Sequence, residues 1–500
     1  MLNRRMDVNR GHVLGGSSAL NYLCYDRAAA AEYDAWGDLG NDGWGWDVMI
    51  NGMVKSENFT GSNDGDIHGR SGPIRSLFNR IVPDILQTWK PTLNGLGVNI
   101  NTKGGLGGDP IGVMFQPTNI DPTRYTRSYS ASSYLPLAGS NLVVKTNSLV
   151  AKVEFAKNVK PLVAVGVILQ DGTKFRATKE VILSAGAVQS PGLLELSGIG
   201  QTSVLKAANI PQLVNLPGVG ENYQDHIRVG NTYRLKANLT SFDPFIFNNT
   251  GALATQELQK WLAGSPSMYD YTTVAYAFLN WDQIVSKDTV ASLALLAAKA
   301  PPGKKTSVVD KKKLDFLRDP SVPEVEIIME DNYVGSAGYP GGNFMTLLST
   351  VMHPFSRGNV HIDPAAPLGK PVIDPQYLSS EYDLQALVEA AKYSRKAAQS
   401  QPMASIWDSE FEPGRAVQTD DQWREWARKS VLSFYHPVGT CAMLPKKDGG
   451  VVDASLTVYG TSNLRVVDNS IIPVLISAHI QTAAYGIAEV AADIIISASC

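Results

Sequence analysis

Cysteine is scarce in this sequence, and so are long apolar runs. The 500 residues include only three cysteines, Cys24, Cys441 and Cys500, too few to build a disulfide framework for a chain of this size. The longest apolar stretches, around 291–300 and 490–498, fall well short of the ~20 residues that a membrane-spanning helix needs. We therefore expect a soluble protein with no membrane partner.

Charge of one sign is scarce too, and the signatures of several chemistries are missing. The formal net charge is −3 with no basic block, which argues against a nucleic-acid groove. The chain has no Gly-x-Ser-x-Gly nucleophile elbow, Walker A loop, His-Glu-x-x-His or Cys-x-x-Cys. We expect neither a hydrolase nucleophile nor a metal site.

The residues that are present describe a large globular chain, 44% apolar and 18% charged, for which two associated domains are expected. A strand followed by a small-residue turn and a capped helix at 191–197, with Ser190 as N-cap, predicts an α/β unit that can admit a ligand close to its backbone. Strands are predicted at 142–146, 162–169, 180–183, 345–351, 359–362 and 464–467. Helices are predicted at 252–262, 379–397 and 482–497.

Two polar segments and two histidines could carry chemistry. The glycine-rich turn at 15–18 precedes a predicted helix at 19–24, and paired glycines let a backbone approach an anion closely. Taken alone, this turn and the polar segment 218–226 fit a capped helix and a surface loop equally well.

His436 lies in an apolar, aromatic setting, and His479 lies just before the terminal helix. Such a pair suits one reaction centre, in which one histidine is the base and the other orients the substrate by a hydrogen bond. A structural role is the alternative for both, and we expect it for His12, His68, His353 and His361.

Taken together and in order, these segments resemble the glucose–methanol–choline (GMC) oxidoreductases. Residues 10–21 and 186–200 match the two signatures of the family. Further matches are at 216–226, 353–358, 371–375, 436–440, 465–470 and His479. The resemblance covers nearly the whole chain, and so many ordered matches make it specific.

This resemblance implies an α/β fold in which a Rossmann-like FAD-binding domain lies beside a substrate domain built on an antiparallel sheet. It divides the chain into an FAD-binding region at 1–230, a variable substrate cap at 231–343 and a C-terminal region at 344–500. The implied cofactor is FAD. The turn at 15–18 and Asn21 would lie near the flavin and its diphosphate, Val150 at the adenine, and Asp468 at the ribityl–phosphate portion. The implied cofactor-binding residues are Gly15, Gly16, Ser17, Ser18, Asn21, Val150, Gly186, Asp468 and Gln481.

The resemblance also implies a reaction on a small primary or secondary alcohol. His436 would accept the hydroxyl proton while hydride passes to flavin N5, and His479 would hydrogen-bond the substrate oxygen. Oxygen or a quinone would then reoxidise the flavin. The aromatic-rich middle segment favours an aromatic or polyketide-like alcohol of secondary metabolism. The alternatives are a non-redox cyclase on the same scaffold and a catalytically inactive, truncated homologue.

One feature of the family is missing. Members open with a βαβ unit carrying Gly-x-Gly-x-x-Gly, which needs about 30 residues or more, whereas only ten residues precede Gly11. We expect this unit to be absent, either because the coding sequence begins upstream, which we favour, or because the chain is truly short and binds FAD weakly. Three N-x-Thr acceptors, Asn58, Asn238 and Asn248, and the lack of a signal peptide leave a cytoplasmic and a secreted location open.

Overall fold

The computed structural model describes residues 4–61, 67–299 and 306–498 as a mixed α/β chain. Its α-helices are α1 (Ala30–Asp38), α2 (Trp46–Ser56), α3 (Trp89–Gly95), α4 (Ser130–Ser133), α5 (Gly186–Leu196), α6 (Thr202–Ala207), α7 (Asp243–Ile246), α8 (Ala252–Leu262), α9 (Trp281–Ile284), α10 (Lys287–Ala297), α11 (Val308–Phe316), α12 (Glu381–Ala398), α13 (Asp420–Ser430) and α14 (Gln481–Ala498).

The strands run in chain order through both halves of the molecule. They are β1 (Glu57–Phe59), β2 (Ile74–Ser76), β3 (Gly112–Phe115), β4 (Ile120–Asp121), β5 (Thr126–Arg127), β6 (Val150–Phe155), β7 (Ala164–Leu169), β8 (Lys174–Arg176), β9 (Val181–Leu183), β10 (Ile199–Gly200), β11 (Val214–Asn215), β12 (Ile227–Leu235), β13 (Ala275–Leu279), β14 (Val325–Glu330), β15 (Phe344–Val351), β16 (Asn359–His361), β17 (Val372–Asp374), β18 (Trp407–Glu412), β19 (Leu432–Ser433) and β20 (Leu464–Val466).

The largest sheet is antiparallel, with strand order β13-β14-β15-β12-β18 and β19 also paired to β12. Successive side chains of a strand point to opposite faces. One face packs on the long helix α12, where Ser349 of β15 and Ser394 of α12 are hydrogen-bonded at 2.7 Å. The register places Arg228, Thr350 and Glu326 side by side on three neighbouring strands, on the opposite face. This second face lies over the candidate active site.

The other lobe holds the α/β elements. Strands β9 and β20 pair in parallel, and β6, β7 and β8 form a separate antiparallel sheet. Helices α2 and α14 pack against each other through glycines, because a Cβ on Gly52 would lie 2.7 Å from the carbonyl oxygen of Gly486. The predicted fold class, an α/β cofactor-binding lobe beside an antiparallel substrate sheet, is confirmed. The divisions at 230 and 343 and the absence of the opening βαβ unit stay predictions.

Most of the predicted elements are present, and the helix at Ala252–Leu262 has the predicted bounds. The strand predicted at 142–146 is wrong: no strand forms there in the described chain, and the side chain of Val143 is 87% exposed. A strand needs a hydrogen-bonding partner, and none of the described strands pairs with this segment. The helix predicted at 19–24 is also wrong. A short 3₁₀ turn, Gly16–Ala19, replaces it, and Cys24 forms a β-bridge with Thr118.

The helix predicted to start at Pro191 begins earlier, at Gly186, so that Pro191 lies inside α5. A proline cannot donate to the carbonyl four residues before it. Here the hydroxyl of Thr440 donates to that carbonyl, of Ala187, at 2.6 Å. A residue from the far end of the chain therefore allows the helix to run through its proline.

Among the described helices, none combines the length and the apolar character that crossing a bilayer requires.

Candidate active site

The structure brings the two predicted catalytic histidines together. The ring centroids of His436 and His479 are 4.9 Å apart, and the rings are nearly perpendicular. The ring of Phe434 lies 5.1 Å from His436 and 5.3 Å from His479, so an aromatic wall closes one side of the pair. His436 follows the short strand β19, and His479 immediately precedes helix α14.

A third histidine, which the sequence reasoning missed, completes the group. His226 is fully buried, and its Nδ1 lies 2.8 Å from Nδ1 of His436. The segment 218–226 was predicted as a surface loop; this is wrong for its end, because residues 223–226 are buried between the lobes. The signal that could have found His226 is its place in the family match at 216–226.

Both histidines of this contact are neutral at ordinary pH. Burial lowers the pKa of His436 well below its usual value, and the nearby His479, His226 and Arg10 lower it further. Burial likewise holds the pKa of His226 well below its usual value, with His353 and His479 adding to the effect. Between two neutral rings, one nitrogen donates and the other accepts.

The turn that presents His436 is held by a buried carboxylate, Asp225. It accepts the backbone N–H of His436 at 2.8 Å and the hydroxyl of Ser433 at 2.6 Å, and the hydroxyl of Tyr377 donates to it as well. Tyr435, immediately before His436, has a φ of 64°, a left-handed conformation that non-glycine residues rarely adopt. The Asp225 network compensates for this strained turn and so fixes the direction of the imidazole.

His479 has the opposite electrostatic setting. Its Nε2 lies 2.8 Å from a carboxylate oxygen of Glu326 on β14, and its backbone N–H donates to Asp26. Burial lowers the pKa of His479, but Cys24 and Glu326 together raise it well above the ordinary value. Burial also raises the pKa of Asp26, to about 6. A neutral histidine therefore faces a protonated one, the arrangement expected of a base beside an electrostatic stabiliser.

The glycine-rich turn has the backbone freedom that close contact with a cofactor needs. Gly15 and Gly16 have φ values of 91° and 55°, and a Cβ on Gly16 would meet nothing within 4 Å. The turn is closed by the hydroxyl of Ser18, which donates to the Gly15 carbonyl at 2.6 Å. The Ser17 hydroxyl accepts the backbone N–H of Gly11. Asn21 lies just beyond and accepts a hydrogen bond from Arg127 at 2.5 Å.

The structure places Gly186 and Asp468 in direct contact. The carboxylate of Asp468 accepts the backbone N–H of Gly186 at 2.9 Å and the hydroxyl of Ser190 at 2.5 Å, so Asp468 holds the start of helix α5. Val150 opens strand β6, which packs on the same helix. Both polar atoms of the Gln481 side chain are buried and have no partner in the described part of the chain.

These residues fit FAD. A buried amide with a free donor and a free acceptor matches the alternating donors and acceptors of the flavin pyrimidine edge, and the Gly15–Gly16 turn leaves its backbone open to a ligand. Three of the remaining histidines have structural partners. The imidazoles of His68, His353 and His361 each contact a buried glutamate, namely Glu57, Glu324 and Glu195.

Comparisons with known proteins agree with this geometry. Family models described as GMC oxidoreductase match residues 1–228 and 354–488. The chain is 36% identical to the GMC oxidoreductase family protein Mala s 12 of Malassezia sympodialis over 526 residues, covering 99% of this chain and 81% of that protein. An FAD-dependent oxidoreductase from Chaetomium thermophilum has a TM-score of 0.89 at 28% identity, covering 99% of this chain and 88% of that one. A fungal aryl-alcohol oxidase has a TM-score of 0.83 at 29% identity, covering 100% and 88%.

The fold and the paired histidines, together with these matches, define an oxidoreductase that uses FAD. The chain belongs to the GMC oxidoreductase family, and it is an FAD-dependent alcohol oxidoreductase.

Proposed function

We propose that the protein oxidises a primary or secondary alcohol to its carbonyl, with His436 as the base and His479 as the stabiliser of the substrate oxygen. The observation that carries this assignment is the contrast between two histidines 4.9 Å apart, one with its pKa lowered and the other with its pKa raised. A lowered pKa leaves His436 free to accept a proton at neutral pH.

The turn at Gly15–Ser18, Gly186, Asp468 and Gln481 would hold the cofactor, with Asn21 and Val150 beside it. Bound FAD supplies the acceptor for the hydride that leaves the carbinol carbon. The contribution of the protein is to orient the alcohol between the two imidazoles and to move its hydroxyl proton.

Nε2 of His436 is the atom that takes the proton. The Met352 carbonyl raises the pKa of His226 and so favours a proton on the Nε2 of that ring. Nδ1 of His226 then accepts from Nδ1–H of His436, which leaves a lone pair on the His436 Nε2. That nitrogen makes no hydrogen bond within the described chain and is not enclosed by protein. His226 is thus a positioning residue that selects the reactive tautomer.

His479 acts on the oxygen that loses this proton. As an imidazolium held by the Glu326 carboxylate, it stabilises the negative charge that develops on the substrate oxygen. Because the ring is fixed before the reaction begins, little reorganisation is needed when the charge appears.

The substrate class that we favour is an aromatic alcohol. The ring of Phe434 contacts both histidines, and Tyr276 lies 5.4 Å from His479, edge to face. The similarity to an aryl-alcohol oxidase supports the same class. Oxygen is the acceptor that we favour for reoxidation, with a quinone as the alternative. A role in secondary metabolism fits relatives such as patulin synthase of Aspergillus clavatus, 31% identical over 97% of this chain and 78% of that protein.

The test is anaerobic stopped-flow reduction of the FAD-loaded protein by benzyl alcohol. We expect His436→Ala to slow flavin reduction at least a hundredfold, in line with the typical contribution of a general base. His361→Asn is the matched control, because its imidazole is paired with Glu195 on α5; this variant should keep the parent rate. Reduction of the His436→Ala flavin at the parent rate would remove His436 from its role.

The same preparation separates the alternatives. The visible spectrum before and after incubation with FAD shows whether this chain retains the cofactor through gel filtration. Turnover of a substrate without flavin reduction would favour the cyclase, and a colourless protein that takes up no FAD would favour the inactive homologue.

A further inference from the structure

One arginine close to the reaction centre has no partner. Arg228 lies on β12, two residues after His226, and makes no hydrogen bond or ion pair within the described chain. Its Nη1 is buried and unpaired. Other enclosed arginines of the molecule are paired with carboxylates: Arg27 with Glu57 at 2.8 Å, Arg357 with Asp310 at 2.6 Å, and Arg395 with Glu410 at 2.6 Å.

The sheet register places Arg228 beside the catalytic pair. Arg228, Thr350 and Glu326 lie in one row across three strands, and Glu326 is the residue that holds His479. Neighbouring strands are ~4.8 Å apart, so about 10 Å of sheet separates the backbones of Arg228 and Glu326. Phe434 bridges the remaining space: the guanidinium carbon lies 5.5 Å from the ring whose other neighbours are His436 and His479.

The charge of Arg228 is not neutralised by its surroundings. Burial lowers its pKa, while Tyr435, Tyr22 and Glu330 raise it without contact close enough for an ion pair. The carboxylate of Glu330 already accepts the hydroxyl of Thr273 at 2.7 Å, and burial raises its pKa to about 7. A guanidinium stays charged in a protein, and an enclosed charge without a partner is costly.

A second unpaired donor lies next to it. The hydroxyl of Thr350 is buried and has no partner among the described residues, and Thr350 is directly opposite Arg228 in the register. Guanidinium and hydroxyl together offer donors only in the direction of the ligand, which is the complement of an oxygen anion.

We propose that Arg228 and Thr350 bind a carboxylate of the substrate, so that the preferred alcohols are hydroxy acids whose carbinol lies between His436 and His479. This assignment rests on the proposed function, because it places the anion in the same cleft. The planar fork of arginine pairs with a carboxylate through two parallel hydrogen bonds and so fixes the orientation of the ring that carries both groups.

The first test compares 4-(hydroxymethyl)benzoate with its methyl ester, two substrates that differ only in the negative charge. We expect the parent protein to show at least a tenfold higher kcat/KM for the acid. Arg228→Met should lower the acid-to-ester ratio at least tenfold, and Arg228→Lys should retain part of it, because lysine keeps the charge but loses the fork. A parent that prefers the ester, or a ratio unchanged in Arg228→Met, would overturn the assignment.

A binding measurement keeps this test apart from turnover. Calorimetry with 4-methylbenzoate, which has no hydroxyl to oxidise, should show at least tenfold weaker binding to FAD-loaded Arg228→Met than to the parent; methyl 4-methylbenzoate is the neutral control. If 4-methylbenzoate binds through Arg228 but no alcohol reduces the flavin, the anion site stands and the proposed oxidation fails. If the ester is oxidised and 4-methylbenzoate binds the parent and Arg228→Met alike, the oxidation stands and the anion site fails.

Stability distinguishes a ligand site from a structural role. Replacement of an unpaired enclosed charge by an apolar side chain of similar length removes a desolvation cost. We therefore expect Arg228→Met to melt no lower than the parent protein. A clear fall in the melting temperature would assign Arg228 to the fold and overturn the proposal.

Discussion

Replacement of His353 by glutamine tests the ion-pair network that joins the two lobes. His353 is fully buried between two carboxylates, with Nε2 2.8 Å from Glu32 on α1 and Nδ1 3.0 Å from Glu324 before β14. Glu32 also accepts the backbone N–H of Ser477, two residues before His479. One imidazole therefore links the first helix, the substrate sheet and the segment that presents His479.

The size of its contribution follows from the pKa. Burial lowers the pKa of His353, but Glu324 and Glu32 raise it to about 9. The unfolded value is about 6.5, so this group stabilises the fold fully below that pH, and the stabilisation is lost as the pH rises through 9. A difference of about 2.5 pKa units corresponds to about 3 kcal/mol in the free energy of unfolding.

We expect His353→Gln to lose this increment at pH 6 and to approach the parent protein above pH 9. Urea unfolding, followed by tryptophan fluorescence at several pH values, measures the difference between parent and variant. Lys429→Gln, which breaks an exposed pair with Glu425 on α13, is the control, with a small and pH-independent difference. A difference between parent and His353→Gln that stays constant from pH 6 to pH 10 would refute the reasoning.

Three further changes test the site and the packing. His226→Phe should slow flavin reduction about tenfold or more, since a buried donor loses its partner at a cost of about 1–3 kcal/mol, whereas His226→Asn, which retains an acceptor, should recover much of the rate; equal rates in both variants would contradict the tautomer argument. Glu326→Gln should lower the pKa of His479, so the loss of flavin-reduction rate at high pH should move to lower pH; an unchanged pH profile would exclude this coupling. Gly486→Val should destabilise the fold by about 1–3 kcal/mol, because a Cβ there would lie 2.8 Å from Met53; unchanged thermal unfolding would show that α2 and α14 can separate without cost.

The sequence predicted the fold class and the His436–His479 pair because both depend on ordered local motifs. It did not predict His226, since a polar, turn-rich segment has the same composition whether it is exposed or buried between lobes. The partners of His353 could not be predicted either, because Glu32 lies 321 positions away from it in the chain. The start of α5 was misplaced for a similar reason: the hydroxyl that tolerates its proline belongs to Thr440, and the carboxylate at its start belongs to Asp468.

The same long-range pairing has a consequence for biosynthesis. Helix α14 covers the methionine face of α2, and it is the last element to leave the ribosome. Until then Met49 and Met53 have no covering helix, and His479 has not reached Glu326. The nascent chain must therefore hold an apolar surface in water for almost its whole synthesis, which makes it a natural client for a chaperone that binds exposed methionine-rich helices. A ribosome that stalls near the end of the message releases a product with an assembled substrate sheet and no reaction centre.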